Sequence, residues 1–448
     1  MLIFIENTPR AYAWGSKDAL PDMLGTEPTG EPQAELWLGT HPSSPAVVAK
    51  ASAAAHTLID LVESDPERYG VNGGPLPFLL KVLAIGAPLS LQVHPDSAQA
   101  AAGYAAEEAA GVPRDARHRN YGDPRHKPEL LVALSEVTAL SGFRPLAEVR
   151  RDLALLAGAA RAGAQRDDAA RDGSEHHSAE RAGADREGAD REDAGALDRV
   201  SEHLSGGGSE RRREFLVWAF SGDETVARAL RAIERIVGCH GAAESAGLDP
   251  ERILALRQLV ATHPGDPGVL VSLLLHLVRL APGEAVFLRA RQMHAYLSGI
   301  AVEVMASSDN VLRAGLTEKH IDVAELCRIV DTGELGEPRF PCTPMARGLV
   351  AWCPDVPDFR LLRARLCDPD AESGSRVDGG APLVEVRAEH PLVLVVTAGR
   401  VRVERPAGDT EALAELATAR RGQSLYVSAG EPIRLTGHGE VFIATVGE

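Results

Sequence analysis

Leu89-Ser90-Leu91-Gln92-Val93-His94-Pro95-Asp96 is the stretch on which the reading of this chain turns. An extended strand sends alternate side chains to opposite faces, so Gln92 and His94 project together while Leu91 and Val93 pack behind them. Two metal-capable groups on one face ask for further partners. Glu129, in His126-Lys127-Pro128-Glu129, and His294, in Met293-His294-Ala295-Tyr296-Leu297, would complete an N₂O₂ set that Zn²⁺ accepts with a water position left open.

Around that stretch, Pro77 to Leu83 and Leu89 to His94 read as neighbouring strands, which puts Lys81 close to the metal strand. Ala98 to Ala110 reads as a surface helix and Glu129 to Leu134 as a strand with Glu129 at its entrance. After Pro145 the period changes: Leu146, Val149, Leu153 and Leu156 recur at helical spacing. Between Ala164 and Glu210 large apolar residues almost vanish, and the tract Arg181 to Asp193 is a near-duplicated run of mixed charge. Such a segment buries too little surface to offset its ordering entropy, so it reads as a flexible insertion. Helical period returns with Val226, Leu230, Ile233 and Val237 behind an expected capping box at Ser221 to Glu224, and is expected to run on through Val269 to Leu280. Strand signals resume at Ala285 to Leu288 and Ala301 to Met305, and the C-terminal part alternates short strands and turns in the manner of an antiparallel sandwich or barrel.

The expected organisation is therefore a catalytic β domain over 1–145 and 281–335, a helical insertion over 146–280 with a flexible charged tract at 164–210, and a C-terminal β domain over 336–448. Its 448 residues suffice for two or three such units. A net charge of −17 argues against a nucleic-acid or anionic-membrane surface, so any bound phosphate must be held by local cations. The opening Met1 to Glu6 lacks the basic region and length of a signal peptide, and later apolar runs are too short or too interrupted to span a membrane. Cys239, Cys327, Cys342, Cys353 and Cys367 are odd in number and form no CxxC pair, which fits a reducing, cytoplasmic setting.

Several ordered motifs then match one family. Tyr12-Ala13-Trp14-Gly15, Ala34-Glu35-Leu36-Trp37-Leu38-Gly39-Thr40-His41-Pro42, Pro77 to Leu83, Leu89 to Asp96, His126 to Glu129, and Ser307 to Thr317 resemble the signatures of type I mannose-6-phosphate isomerases. The likeness covers the N-terminus to about residue 145 and again about 265–330, while Arg291-Gln292-Met293 and Ile300-Ala301 depart from the family pattern. The resemblance implies a mainly β protein with an inserted α-helical domain: a cupin, or jelly-roll, catalytic domain and a second, C-terminal jelly-roll-like domain.

It also implies roles. Gln92, His94, Glu129 and His294 fall on the family's four metal positions, with one Zn²⁺ per chain. Lys127 is placed in the site, where a cation could stabilise charge developing on the sugar oxygens. Glu303 sits on an apolar strand, where a carboxylate is costly unless paired or working. It matches an active-site carboxylate and is the expected proton-transfer group. Arg313 matches a catalytic arginine whose fork could hold an oxyanion, and Lys81, Ser90 and Lys319 match positions that contact the substrate phosphate.

The expected activity is a zinc-dependent interconversion of mannose 6-phosphate and fructose 6-phosphate through an enediol, with a small sugar phosphate as partner and a monomer as the expected state. The ring-opening acid is not identified. Two other classes remain open at this point: a metal-dependent cupin oxygenase, and a sugar-phosphate-binding cupin without catalysis.

Overall fold

Two long stretches, Phe78–Ile85 and His294–Ala306, seed the architecture because both are apolar enough to be covered on two faces; every residue of the first is buried. In the computed structural model, which describes residues 1–49, 56–171, 177–239, 241–366, 383–406 and 414–447 apart from the side chains of 163–187, they pair antiparallel with Glu303 opposite Lys81. Glu35–Leu38 adds to Phe78–Ile85 with Trp37 opposite Lys81, and Glu129–Ala133 adds to the other side of His294–Ala306 with Leu131 opposite Glu303. Directly opposed residues share a face, so the register sorts the side chains. Leu36, Leu38, Leu80, Val82, Leu130, Val132, Val302 and Val304 turn to one core, and Glu35, Trp37, Lys81, Glu129 and Glu303 turn the other way.

His294–Ala306 changes partners along its length. Its second half lies between Phe78–Ile85 and Glu129–Ala133, whereas its first half pairs with Gln92–Val93 and Val137–Phe143. Between the halves, at Tyr296/Ser298, the register shifts, and Gly299 follows with φ +112°, where a Cβ would lie 2.4 Å from Glu136 O. Only glycine fits there. Leu312–Arg313, Leu275–Leu280 and Ala285–Leu288 complete a nine-stranded sheet among the described residues.

The second sheet has ten described strands, including Leu349–Trp352, Arg360–Leu366, Leu392–Arg405, Ser424–Val427 and Gly430–Thr445. Trp352, Phe359, Tyr426 and Phe442 reach from it into the core lined by Leu80 and Val302, so the two sheets share one hydrophobic layer. Leu2–Glu6 also belongs to this second sheet, pairing with Ser424–Val427, and Val47–Val48 pairs with it in turn. The chain thus starts in the sheet with which it ends, which differs from an N-terminal unit beginning at residue 1; the pairing spans more than the length of the domain and leaves no local signal.

Helices fill the interval between Val137–Phe143 and Leu275–Leu280, so the class is mainly β with an inserted helical region. Two expectations are corrected here. The tract expected to be flexible contains the helix His177–His203, and Ala194, Ala196, Leu197, Val200 and Leu204 are buried against Leu153, Leu156, Leu230 and Ile233. Those positions recur at helical spacing but are partly alanine, so the apolar stripe is easy to miss. Residues 172–176 of the same tract lie outside the described residues.

The run Val269 to Leu280 is not one helix. Gly268–Ser272 is helical, and Leu275–Leu280 is a strand on Val137–Phe143. Arg252 donates to Ser272 O at 3.2 Å and Leu275 O at 3.1 Å, and Arg144 Nε donates to Leu273 O at 2.8 Å. These guanidinium donors satisfy carbonyls freed where the helix stops. Among the described residues no helix is long and apolar enough to cross a membrane.

Candidate metal centre and active-site cleft

The strand Gln92–Val93 is short and central: Gln92 is opposite His294 on one side and opposite Arg313 on the other. Immediately after it, Asp96 caps the helix Ser97–Ala109, its carboxylate accepting from Gln99 N while Gln99 returns a bond to Asp96 N–H. This capping box fixes the chain two residues beyond His94, which directly follows the strand.

His94, Glu129 and His294 are buried, and their ligand atoms all lie within 4.8 Å of one another. His94 Nε2 is 3.3 Å from Glu129 Oε1 and His294 Nε2 is 3.4 Å from Glu129 Oε2. The far nitrogens face backbone carbonyls: His94 Nδ1 lies 2.8 Å from Asn310 O and His294 Nδ1 lies 3.1 Å from Gln292 O. A carbonyl can only accept, so each Nδ1 carries the proton and each Nε2 presents a lone pair. Both Nε2 atoms are buried without a hydrogen-bond partner. Burial pushes the His94 imidazole down to about 4, against the pull of Glu129, and so keeps it neutral. Burial alone would raise the Glu129 carboxyl, but Lys127, its Nζ 3.0 Å away, holds it well below the usual range. Two inward lone pairs and a carboxylate, all buried, fit a divalent cation. Gln92 lines the same inner pocket as Glu129 and His294. The four expected ligands are therefore brought together.

The bulge explains how His294 and Glu303 come to share that pocket. They are nine positions apart, an odd offset that places them on opposite faces of a regular strand; the irregularity at Tyr296/Ser298 reverses the alternation. Tyr296 OH then donates to Glu303 Oε1 at 3.1 Å. Burial first, and the Glu129 charge next, push the Glu303 carboxyl up to about 7, while Lys81 works the other way.

Lys81 lines both the inner pocket and the cleft outside it. It is buried, with Nζ 3.4 Å from Glu303 Oε2, 3.8 Å from Glu35 Oε2 and 4.8 Å from the centre of the Trp37 ring. Burial would lower this amine, but Glu35 and Glu303 outweigh it and raise it, so Lys81 is a fixed ammonium among acids.

Opening onto this pocket is a cleft of about 560 Å³ lined by Lys81, Ser90, Gln92, Lys127, Arg313 and Lys319, with the stacked rings of Tyr12 and Trp14 on one wall. Arg313 is half-buried and lowered by burial alone; Lys319 is exposed and lowered by burial and then by Arg313. Arg313 and Lys319 are close enough for one charge to act on the other, and together they make one end of the cleft cationic. Sequence reasoning gave no role to Glu35, Tyr296 or Asp309, although each lies in a quoted motif. For Glu35 the signal used for Glu303 was present, a carboxylate on an apolar strand.

The comparisons with known proteins agree with this geometry. A family model described as "Phosphomannose isomerase type I, catalytic domain" matches residues 2–146. The chain is 33% identical over 445 residues to the mannose-6-phosphate isomerase of Escherichia coli (strain K12), covering 97% of each chain. It is 38% identical over 328 residues to that of Salmonella typhimurium, covering 71% of this chain and 72% of the relative. Among solved structures, mannose 6-phosphate isomerase from Salmonella typhimurium bound to fructose 6-phosphate and zinc superposes over 100% of both chains, with a TM-score of 0.78 at 29% identity.

Proposed function

The chain belongs to the mannose-6-phosphate isomerase family, and from that premise we propose how its own residues carry out the family's reaction. The protein is a zinc-dependent aldose–ketose isomerase that interconverts mannose 6-phosphate and fructose 6-phosphate by proton transfer through an enediol. The observation that carries this reading is the pair of buried, unpartnered Nε2 atoms facing Glu129 at the foot of a cationic cleft.

His94, Glu129, His294 and Gln92 hold the zinc. Zn²⁺ bound there supplies a Lewis acid that polarises and orients substrate oxygens. Glu303 moves the proton between C1 and C2; a carboxyl near neutrality can both take and return it. Tyr296 orients Glu303 through its hydroxyl, and Lys81 balances the charge of Glu303 and Glu35. Lys127 and Arg313 stabilise the enediolate oxygens; the backbone of Arg313 is opposite Gln92, which supports a place on the metal side of the cleft. Lys319 and Ser90 hold the phosphate farther out, where Lys319 is open to solvent. The exposed thiols of Cys239 and Cys342 support a reducing, cytoplasmic setting, and a monomer suffices because every group named is on one chain.

The reading is tested by incubating the purified zinc protein with mannose 6-phosphate in D₂O. Fructose 6-phosphate carrying solvent deuterium at C1 is the expected product. Turnover that needs O₂, or binding with no turnover, would contradict it.

A further inference from the structure

His126 and Lys127 are successive residues of the loop that delivers Glu129, and their side chains go opposite ways. Lys127 lines the cleft, whereas His126 Nε2–H donates to Asp358 Oδ2 at 2.7 Å. Asp358 lies in the turn between Leu349–Trp352 and Arg360–Leu366, on the second sheet. That turn is a stiff platform: Pro354 and Pro357 fix two φ angles, Val356 N–H bonds Pro354 O at 2.8 Å, and the neighbouring Phe359 is wholly buried in the core shared by both sheets. From the other side, the Asn310 side chain donates to Asp123 O and Arg125 O, each at 2.7 Å, while the Asn310 backbone carbonyl faces the His94 ring. The loop ahead of Lys127 is thus held twice, once by the sheet that carries the metal-site residues and once by the other sheet.

We propose that Asp358 is a positioning residue for the isomerisation: by holding His126 against the second sheet it fixes the opposite direction for Lys127, beside Glu129 and the reacting sugar oxygens. The inference rests on the reading that Lys127 acts on the substrate. In an extended segment neighbouring side chains alternate, so anchoring one aims the next. Misplacement by 1 Å at a reacting centre can lower a rate by about 100-fold, so one hydrogen bond on a loop suffices to matter. The second sheet, which holds none of the proposed ligands, acquires a part in catalysis through this contact.

The test uses the intact zinc-loaded protein and steady-state kinetics with mannose 6-phosphate. Asp358→Ala should lower kcat by about 10-fold with KM changed by no more than about twofold, at unchanged zinc content and melting temperature. Asp358→Asn, which keeps an oxygen acceptor, should recover most of the loss. On a His126→Ala background, Asp358→Ala should add nothing, because both then remove the same contact. An unchanged kcat in Asp358→Ala overturns the proposal, as does an equal further loss in the His126→Ala background, or a fall in zinc content that accounts for the lost rate. A normal kcat in Lys127→Ala instead overturns the role of Lys127 itself, whatever Asp358→Ala does.

Discussion

At Glu303 the sequence and the geometry meet most closely. A carboxylate on the apolar strand His294–Ala306 had to be paired or working, and it is paired: Tyr296 and Lys81 contact it, and burial lifts its carboxyl to about 7. Glu303→Gln keeps the shape and removes the base, so kcat for mannose 6-phosphate should fall by about 10²–10⁴ with little change in KM. A variant that keeps its kcat would move the proton-transfer role to another group. Arg313 and Lys319 separate in the same assay. Lys319→Ala removes binding common to ground and transition states and should raise KM alone, whereas Arg313→Ala should lower kcat by about 10²–10³. If Arg313→Ala raises only KM, it is a phosphate clamp. His94, Glu129 and His294 were legible as a set chiefly through the family resemblance of the motifs that carry them, and the structure brings these three together. The partners of Lys81, Glu35 and Glu303, were not legible because they come to it only through strand register, which spacing along the chain does not disclose.

Among the elements, local signals succeeded where a segment answers to its own sequence and failed where a distant partner decides. Asp96 and Gln99 cap their helix as neighbours, and the strand Glu129–Ala133 lies where its apolar run lies. The expected cap at Ser221 did not hold: Asp223 caps the helix Glu224–Gly238 by accepting from Thr225 N–H at 2.7 Å. Val269 to Leu280 satisfies both periods, and the two arginines that take its carbonyls come from 144 and 252. The bulge after Tyr296 was unreadable for a similar reason, since it is defined against Val137–Phe143. Gly299→Ala should destabilise the protein by roughly 1–3 kcal/mol or more in urea unfolding, because φ +112° is strained for alanine and its Cβ meets Glu136 O. The same variant should lose activity, as Tyr296 and Glu303 lose their common face. In the charged tract, Leu197 is fully buried, so Leu197→Ala should lower stability by about 2–5 kcal/mol at near-normal kcat. A change below about 0.5 kcal/mol would restore the reading of that tract as a surface loop.

Across the whole molecule, one apolar layer joins the sheet that bears the cleft to the sheet that bears both Leu2–Glu6 and the C-terminal strands. Mainly β class and inserted helices were legible from periodicity; the shared layer was not, because pairing between residue 2 and residue 427 leaves no mark in either segment. On the other side of that sheet, the inward nitrogens of His94 and His294 and the Glu129 carboxylate form a buried cluster with the spacing of a metal site. The central claim is that this site holds the zinc of the isomerase. It is tested most directly by stripping the protein with a chelator and adding Zn²⁺ back while bound metal and mannose 6-phosphate turnover are measured together, for the natural chain and for His94→Ala and His294→Ala. Turnover should rise in proportion to bound zinc and level off at one ion per chain, and either histidine variant should neither retain the ion nor turn over. Stoichiometric zinc and a normal rate in either variant would contradict the account.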